Sequence, residues 1–229
     1  MRTKFTTLIL IISIPLVISI NVLFNKKEDS RDLILYCAAG LRLPVQEIVA
    51  NYHKEYDDRI NIQFAGSGTL LSNIEASGIG DLYLAADSSY IDIATDKGLV
   101  ETSIPTCHLT AGLVVKKNNP LKLHSIDDVL NNTSARIVLA NPEAASIGKF
   151  SKKVLSETGK WLPLSKRALV MKPTVNEIAN AVKINSADVG IVWDSIVSQY
   201  DNLEFIPLDQ FNKKKKLVTL GLLKCSLNK

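Results

Sequence analysis

The sequence is short of the residue types on which most catalytic and metal chemistry is built. It holds three cysteines and three histidines, and none of the six stands at a metal-ligand spacing. Cys37, Cys107 and Cys225 read as small apolar residues, with a Cys37–Cys107 disulfide left open. Their odd number leaves at least one thiol free. Aromatic residues make up only 6% of the chain, and none interleaves with Lys213-Lys214-Lys215-Lys216. A basic surface with stacking platforms is therefore missing, which argues against nucleic acid as a partner. Those four lysines equal the whole net charge of +4 and read as a solvated approach to a strand. There is no Gly-x-Ser-x-Gly elbow. Gly148-Lys149-Phe150 lacks the hydroxyl residue that follows lysine in a phosphate loop, and Gly66-Ser67-Gly68-Thr69-Leu70-Leu71 lacks the third glycine of a dinucleotide fingerprint. Asp81, Asp87 and Asp194 lie near helix starts and read as caps.

Apolar residues make up 46% and charged residues 22%, the balance of an ordinary globular protein with a sizeable core. One long apolar run, Phe5 to Phe24, follows Arg2 and Lys4 and precedes the polar Asn25-Lys26-Lys27-Glu28-Asp29-Ser30. Residues 1–30 therefore read as a secretion signal or an uncleaved membrane anchor, and the remainder as exported.

From Arg31 onward strands and helices alternate. Leu33-Ile34-Leu35-Tyr36, Ile60 to Phe64, and Asp81 to Ala86 read as strands of a first lobe. Leu109 to Lys116, Arg136 to Ala140, Leu169-Val170-Met171 and Val189 to Trp193 read as strands of a second. Glu204 to Leu208 and Leu217 to Leu223 look like two more. Between them, Val45, Ile48, Val49, Tyr52 and Tyr56 recur at helical spacing, as do Val175, Ile178, Ala179 and Val182. Ser125-Ile126-Asp127-Asp128 and Thr174-Val175-Asn176-Glu177 have the form of capping boxes. This alternation implies βαβ units and mostly parallel sheets. In such sheets ligands bind beyond the carboxyl ends of the strands.

Four strand-to-helix junctions carry small or hydroxyl-bearing residues. They are Ala38-Ala39-Gly40-Leu41-Arg42, Gly66-Ser67-Gly68-Thr69, Ala144-Ala145-Ser146-Ile147-Gly148 and Pro173-Thr174-Val175. A helix start offers unpaired N–H groups and the positive end of the helix dipole, which together favour an anion. Four such junctions, two early and two late, predict an anion cleft between two lobes.

Tyr36-Cys37-Ala38-Ala39-Gly40-Leu41, Phe64-Ala65-Gly66-Ser67-Gly68-Thr69-Leu70, Asp81-Leu82-Tyr83-Leu84-Ala85-Ala86-Asp87, Asn141-Pro142-Glu143-Ala144 and Gly190-Ile191-Val192-Trp193 resemble, in order and spacing, the periplasmic molybdate-binding protein family. That resemblance implies an α/β, two-lobe type II periplasmic-binding-protein fold. It divides the chain into a first lobe at 31–108 plus 204–229 and a second at 109–203, joined by two crossing strands. It implies an extracytoplasmic, non-catalytic, monomeric carrier without a cofactor. Such a carrier takes molybdate or tungstate to the permease of an ABC importer.

The resemblance also implies a site in which neutral donors hold a dehydrated tetrahedral oxyanion. Ser67 matches a serine of that site, while Ile147 and Val175 match its backbone N–H donors. Gly40 stands where a serine is expected and Trp193 where a tyrosine is expected. Ala39 and Gly40 then offer N–H groups, Trp193 an indole N–H, and Arg42 a charge-assisted donor in place of the lost hydroxyl. The family also continues with a C-terminal helix, where this chain has Lys224 to Lys229, so an uncovered apolar patch is expected on the first lobe. Rival readings are a binder of sulfate, phosphate or another solute, a membrane-tethered sensor, and an exported ester-cleaving enzyme. The last would need a nucleophile paired with a base.

Overall fold

The computed structural model describes residues 32–228, so the export segment read at residues 1–30 lies outside the described residues. Among the described residues no helix is long and apolar enough to cross a membrane.

Two five-stranded sheets organise the chain. The first holds β1 (Leu33–Ala38), β2 (Ile60–Ala65), β3 (Leu82–Ala85), β4 (Val100–Leu109) and β10 (Lys216–Leu223), in the order β2-β1-β3-β10-β4. The second holds β5 (Ala111–Lys116), β6 (Ile137–Ala140), β7 (Ala168–Lys172), β8 (Val189–Trp193) and β9 (Leu203–Pro207), in the order β7-β6-β8-β5-β9. In each sheet the three βαβ-linked strands pair in parallel, and one strand, β10 or β5, runs antiparallel to its neighbours. Four of five strands thus point the same way, as the alternation predicts. The parallel register runs from Leu33 opposite Ile60 to Ala38 opposite Ala65, so β1 and β2 end level with each other on small residues.

The helices form where apolar spacing and caps coincide. α1 (Arg42–Glu55) buries Val45 and Val49. α2 (Ser67–Ser77) buries Leu70, Leu71 and Ile74, and stops at Gly78, whose φ of 63° suits glycine. α3 (Ser89–Asp96) starts beneath Asp87, whose Oδ1 accepts the Ser89 N–H at 3.0 Å. α4 (Ile126–Asn131) is capped by Ser125, whose Oγ accepts the Asp128 N–H at 3.0 Å. α5 (Ser146–Ser156) and α6 (Trp161–Arg167) follow β6. α7 (Val175–Lys183) opens on the capping box: Thr174 Oγ1 accepts the Glu177 N–H and donates to Glu177 Oε1 at 2.9 Å. The short α8 (Asp194–Val197) and α9 (Asp209–Asn212) link the last strands.

One expectation is corrected, and two elements were not read from the sequence. The first lobe was expected to resume at residue 204, but β9 pairs with β5 from Lys116 opposite Leu203 to Gly112 opposite Pro207. Buried Leu203 and Ile206 hold that strand in the second sheet, and the chain crosses back only between Pro207 and Lys216. Residues 100–109 were not read as a strand, because Glu101 to His108 are exposed and largely polar. They pair along β10 as an edge, and the register slips between Val218 and Thr219 opposite Pro105 and Cys107; an edge bulge is where a strand accepts proline. α6 was also missed. It buries Leu164 alone, and is pinned by the Arg167 guanidinium, which donates to the carbonyls of Val129, Leu130 and Asn132 at 2.7–2.8 Å.

The chain end is held by a polar clasp. Buried Asp81 accepts the Ile34 N–H at 2.7 Å, the Ser226 hydroxyl at 2.6 Å and the Asn228 amide at 3.1 Å. No broad apolar patch results on β4, whose exposed face is mostly polar with Ile104 standing out. Removing Asp81 leaves the half-buried Ile34 N–H and the buried Ser226 hydroxyl without their acceptor. Asp81→Ala should therefore lower unfolding stability by about 1–3 kcal/mol, measured by urea titration followed by circular dichroism.

Candidate functional site

The carboxyl ends of the strands converge on one small cavity. Ala38, Ala39 and Gly40 after β1, Ala65, Gly66 and Ser67 after β2, and Ala86 after β3 form one wall. Ala145, Ser146 and Ile147 at the start of α5, Val175 at the start of α7, and Trp193 at the end of β8 form the other. About 10 Å³ is open to the centre of a water-sized sphere, the room of about one water molecule, so a larger guest enters only as the walls part. No charged side chain is among the lining residues.

Six of the seven residues expected at the site therefore meet here: Ala39, Gly40, Ser67, Ile147, Val175 and Trp193. Arg42 does not. Its guanidinium lies over the Phe64 ring, 4.0 Å from the centroid, a cation–π seat apart from the lining residues. Ser146 lines the cavity and was not singled out. It is the first residue of α5 just as Ser67 is the first of α2, and that shared position was the available signal. Ala38 and Ala145 stood in the candidate junctions without being assigned a role, and Ala65 and Ala86 were not assigned one either, since small strand-end residues are unremarkable singly.

Ser67 is 1% exposed and held from both sides. Its Oγ accepts the Ala86 N–H at 3.3 Å, and its carbonyl accepts the Tyr83 hydroxyl at 2.7 Å. Because the Oγ accepts from backbone, its own proton is left to donate. Burial pushes the Tyr83 phenol well above its ordinary value, so Tyr83 remains a neutral donor. The partner of the Ser67 hydroxyl is thus an amide and not a base.

The turn around Ser67 does something the sequence reading did not anticipate. The Gly68 and Thr69 N–H groups both donate to the Ala144 carbonyl, at 3.0 and 3.2 Å. Helix α2 is therefore capped by backbone of the other lobe. A side chain at Gly66 would place its Cβ 2.3 Å from the Ala144 oxygen, and one at Gly68 2.1 Å from the Glu143 oxygen. The glycines are accounted for by this approach as much as by anion chemistry.

Trp193 presents its pyrrole edge to Gly40. A Cβ on Gly40 would stand 3.5 Å from Trp193 Cδ1 and 3.2 Å from a Val175 methyl. The indole, 1% exposed, stacks on Phe150 with centroids 5.6 Å apart, and Phe150 meets Phe211 at 5.5 Å. Two lysines make contacts across the cleft, Lys216 while also paired within its own lobe. Lys149 on α5 donates to Ser89 Oγ at 3.2 Å and lies 4.5 Å from the Tyr90 ring centroid. Lys216 pairs with buried Asp87 at 3.1 Å and lies 5.0 Å from the Phe150 ring centroid.

All three cysteines are free, so the Cys37–Cys107 bridge left open above is absent. Burial pushes the Cys37 thiol up to about 12, against a small opposing effect of Arg42. Cys107 is exposed on β4. With iodoacetamide at about pH 8 the native protein should be alkylated at Cys107 and spared at Cys37, as read by peptide mass spectrometry. Labelling of Cys37 at an equal rate would refute its burial.

Residues 33–228 match the family described as bacterial extracellular solute-binding protein. The molybdate-binding protein ModA of Escherichia coli is 31% identical over 184 residues, covering 78% of this chain and 71% of that protein. Among solved structures, the periplasmic molybdate-binding protein of Azotobacter vinelandii superposes with a TM-score of 0.69 at 17% identity, covering 86% of this chain and 87% of that one. AfuA of Actinobacillus pleuropneumoniae, solved with fructose-6-phosphate, superposes with a TM-score of 0.73 at 16% identity, covering 86% and 75%. Both superpositions speak for the two-lobe fold.

Proposed function

The chain belongs to the bacterial extracellular solute-binding protein family, and we propose that its interlobe cavity captures a dehydrated tetrahedral oxyanion of the molybdate or tungstate kind. The observation that carries this reading is a small interlobe cavity with no charged lining, walled by helix starts and hydroxyls of both lobes. Ser67 and Ser146 supply hydroxyls from opposite walls. The backbone at Ile147 and Val175 supplies N–H groups at the positive ends of α5 and α7, and Ala39 and Gly40 supply N–H groups after β1. The indole N–H of Trp193, bonded to the Cδ1 that faces Gly40, takes the place of the missing first hydroxyl.

A neutral cavity selects by protonation and size. Phosphate near neutral pH carries a proton that needs an acceptor, and no carboxylate lines the cavity. Leaving such a donor unpaired in a dry site costs about 1–3 kcal/mol. Sulfate is smaller and would stretch the donors from one wall. Molybdate and tungstate are close in size and charge, so the cavity has little means to tell them apart.

Capture from both lobes favours the closed form, because only that form satisfies every acceptor of the anion. The closed protein then delivers its ion to an ABC permease from the outer face of the cytoplasmic membrane, as a monomer without a cofactor. The relatives named above are binding proteins, and the Ser67 hydroxyl has a backbone partner in place of a base, which supports binding over an ester-cleaving role.

Calorimetric titration of the mature protein with molybdate, tungstate, sulfate and phosphate tests this. Tight binding of the first two with little response to the others is expected, and a preference for sulfate or phosphate would overturn it. Ser67→Ala should weaken molybdate binding by about 1–3 kcal/mol, since closure would leave a dehydrated oxygen short of a donor. Unchanged affinity would place the ion elsewhere.

A further inference from the structure

We infer that Gly66 and Gly68 are positioning residues that set how far the two lobes can close, and so how tightly an oxyanion in the cavity is gripped. The inference rests on the oxyanion reading for its effect on binding, but the closing distance itself is a property of this chain alone. Three observations carry it. The Gly68 and Thr69 N–H groups share the Ala144 carbonyl across the cleft. A Cβ on Gly66 would fall 2.3 Å from the Ala144 oxygen and 2.6 Å from the Pro173 oxygen. A Cβ on Gly68 would fall 2.1 Å from the Glu143 oxygen.

All three obstructing atoms are backbone carbonyl oxygens, which cannot swing aside like a side-chain tip. The two lobes therefore stop against each other at the glycines, backbone on backbone. This stop adjoins the cavity, because Gly66 and Ala145 line it. Any widening at the stop moves the donors of one wall away from the ion. The same contact also attracts, since N2 and N3 amides of a helix have no partner within it. Closing thus satisfies two orphan N–H groups with a carbonyl, independent of whatever sits in the cavity. The contact fixes the gap and supplies part of the preference for closure, so it shapes affinity without touching the ion.

The test separates bulk from bonding. Gly68→Ala adds a methyl group at the stop and improves helix propensity at that position, so folding of the variant is not the weak point. Replacing the Thr69 backbone amide by an ester, with the threonine side chain kept, removes one N–H where the helix does not use it and adds no atom at the stop. With molybdate as probe, Gly68→Ala should weaken binding by about a hundredfold or more, and the ester by about tenfold. In small-angle scattering at saturating molybdate, the ester protein should contract like the parent protein and Gly68→Ala should stay extended. Thermal midpoints without ligand should differ little among the three. A Gly68→Ala protein that binds and contracts like the parent overturns the inference. If the parent protein binds none of the four anions, the oxyanion reading falls by itself. The stop is then judged from crystal structures of the ligand-free proteins: an unchanged separation between residue 68 and the Glu143 carbonyl refutes it, and a widened one upholds it.

Discussion

The cleft depends on one close approach, the meeting of the α2 N-terminus with the Ala144 carbonyl. Two amides and one oxygen from opposite lobes hydrogen-bond with no side chain between them. That is possible only because residues 66 and 68 lack a Cβ. The strands behind this contact end in small residues for the same reason. Ala38, Ala65 and Ala86 on one side and Ala145 on the other keep the walls thin enough for main-chain groups to reach the cavity. A longer side chain at any of them would replace amide dipoles with apolar bulk.

The surroundings of the cavity keep charge at one remove. Lys216 is matched by Asp87, and Lys149 rests on Ser89 and the Tyr90 ring. The Lys149 contacts, with the seat of Lys216 over the Phe150 ring, tie the lobes together, while no charged side chain lines the cavity itself. A formal cation in the wall would have gripped any anion of suitable reach. Neutral donors with fixed directions ask instead for an ion with acceptors in the matching places, which trades strength of attraction for discrimination.

Much of the fold was legible because its βαβ units obey local rules. Apolar runs such as Val189 to Trp193, the capping residues Ser125 and Thr174, and the stop at Gly78 each act within a few residues of themselves. What the sequence hid depends on partners far along the chain. β4 is a strand because β10 lies beside it, not because Glu101 to His108 are apolar. β9 belongs to the second sheet because β5 offers it an edge. The site shows the same division. The junctions that hold Ser67, Ile147 and Val175 were marked by their places at helix starts, and the family resemblance picked those residues out. Ser146 was passed over beside Ile147 although it shares the place of Ser67. Arg42 was expected in the cavity from its position in the first turn of α1, but the Phe64 ring offered its guanidinium a nearer seat. The glycines of residues 66–68 were read for what they leave open to an ion, when half of their purpose is what they let come close.

The indole built into the cavity wall has an optical consequence. The chain contains two tryptophans, and Trp193 is the one among the lining residues, stacked on Phe150 in a dry setting. A guest that displaces water from that wall alters the polarity felt by half of the protein's indole chromophores. The protein therefore reports its own occupancy in the colour and brightness of its ultraviolet emission, with no dye attached.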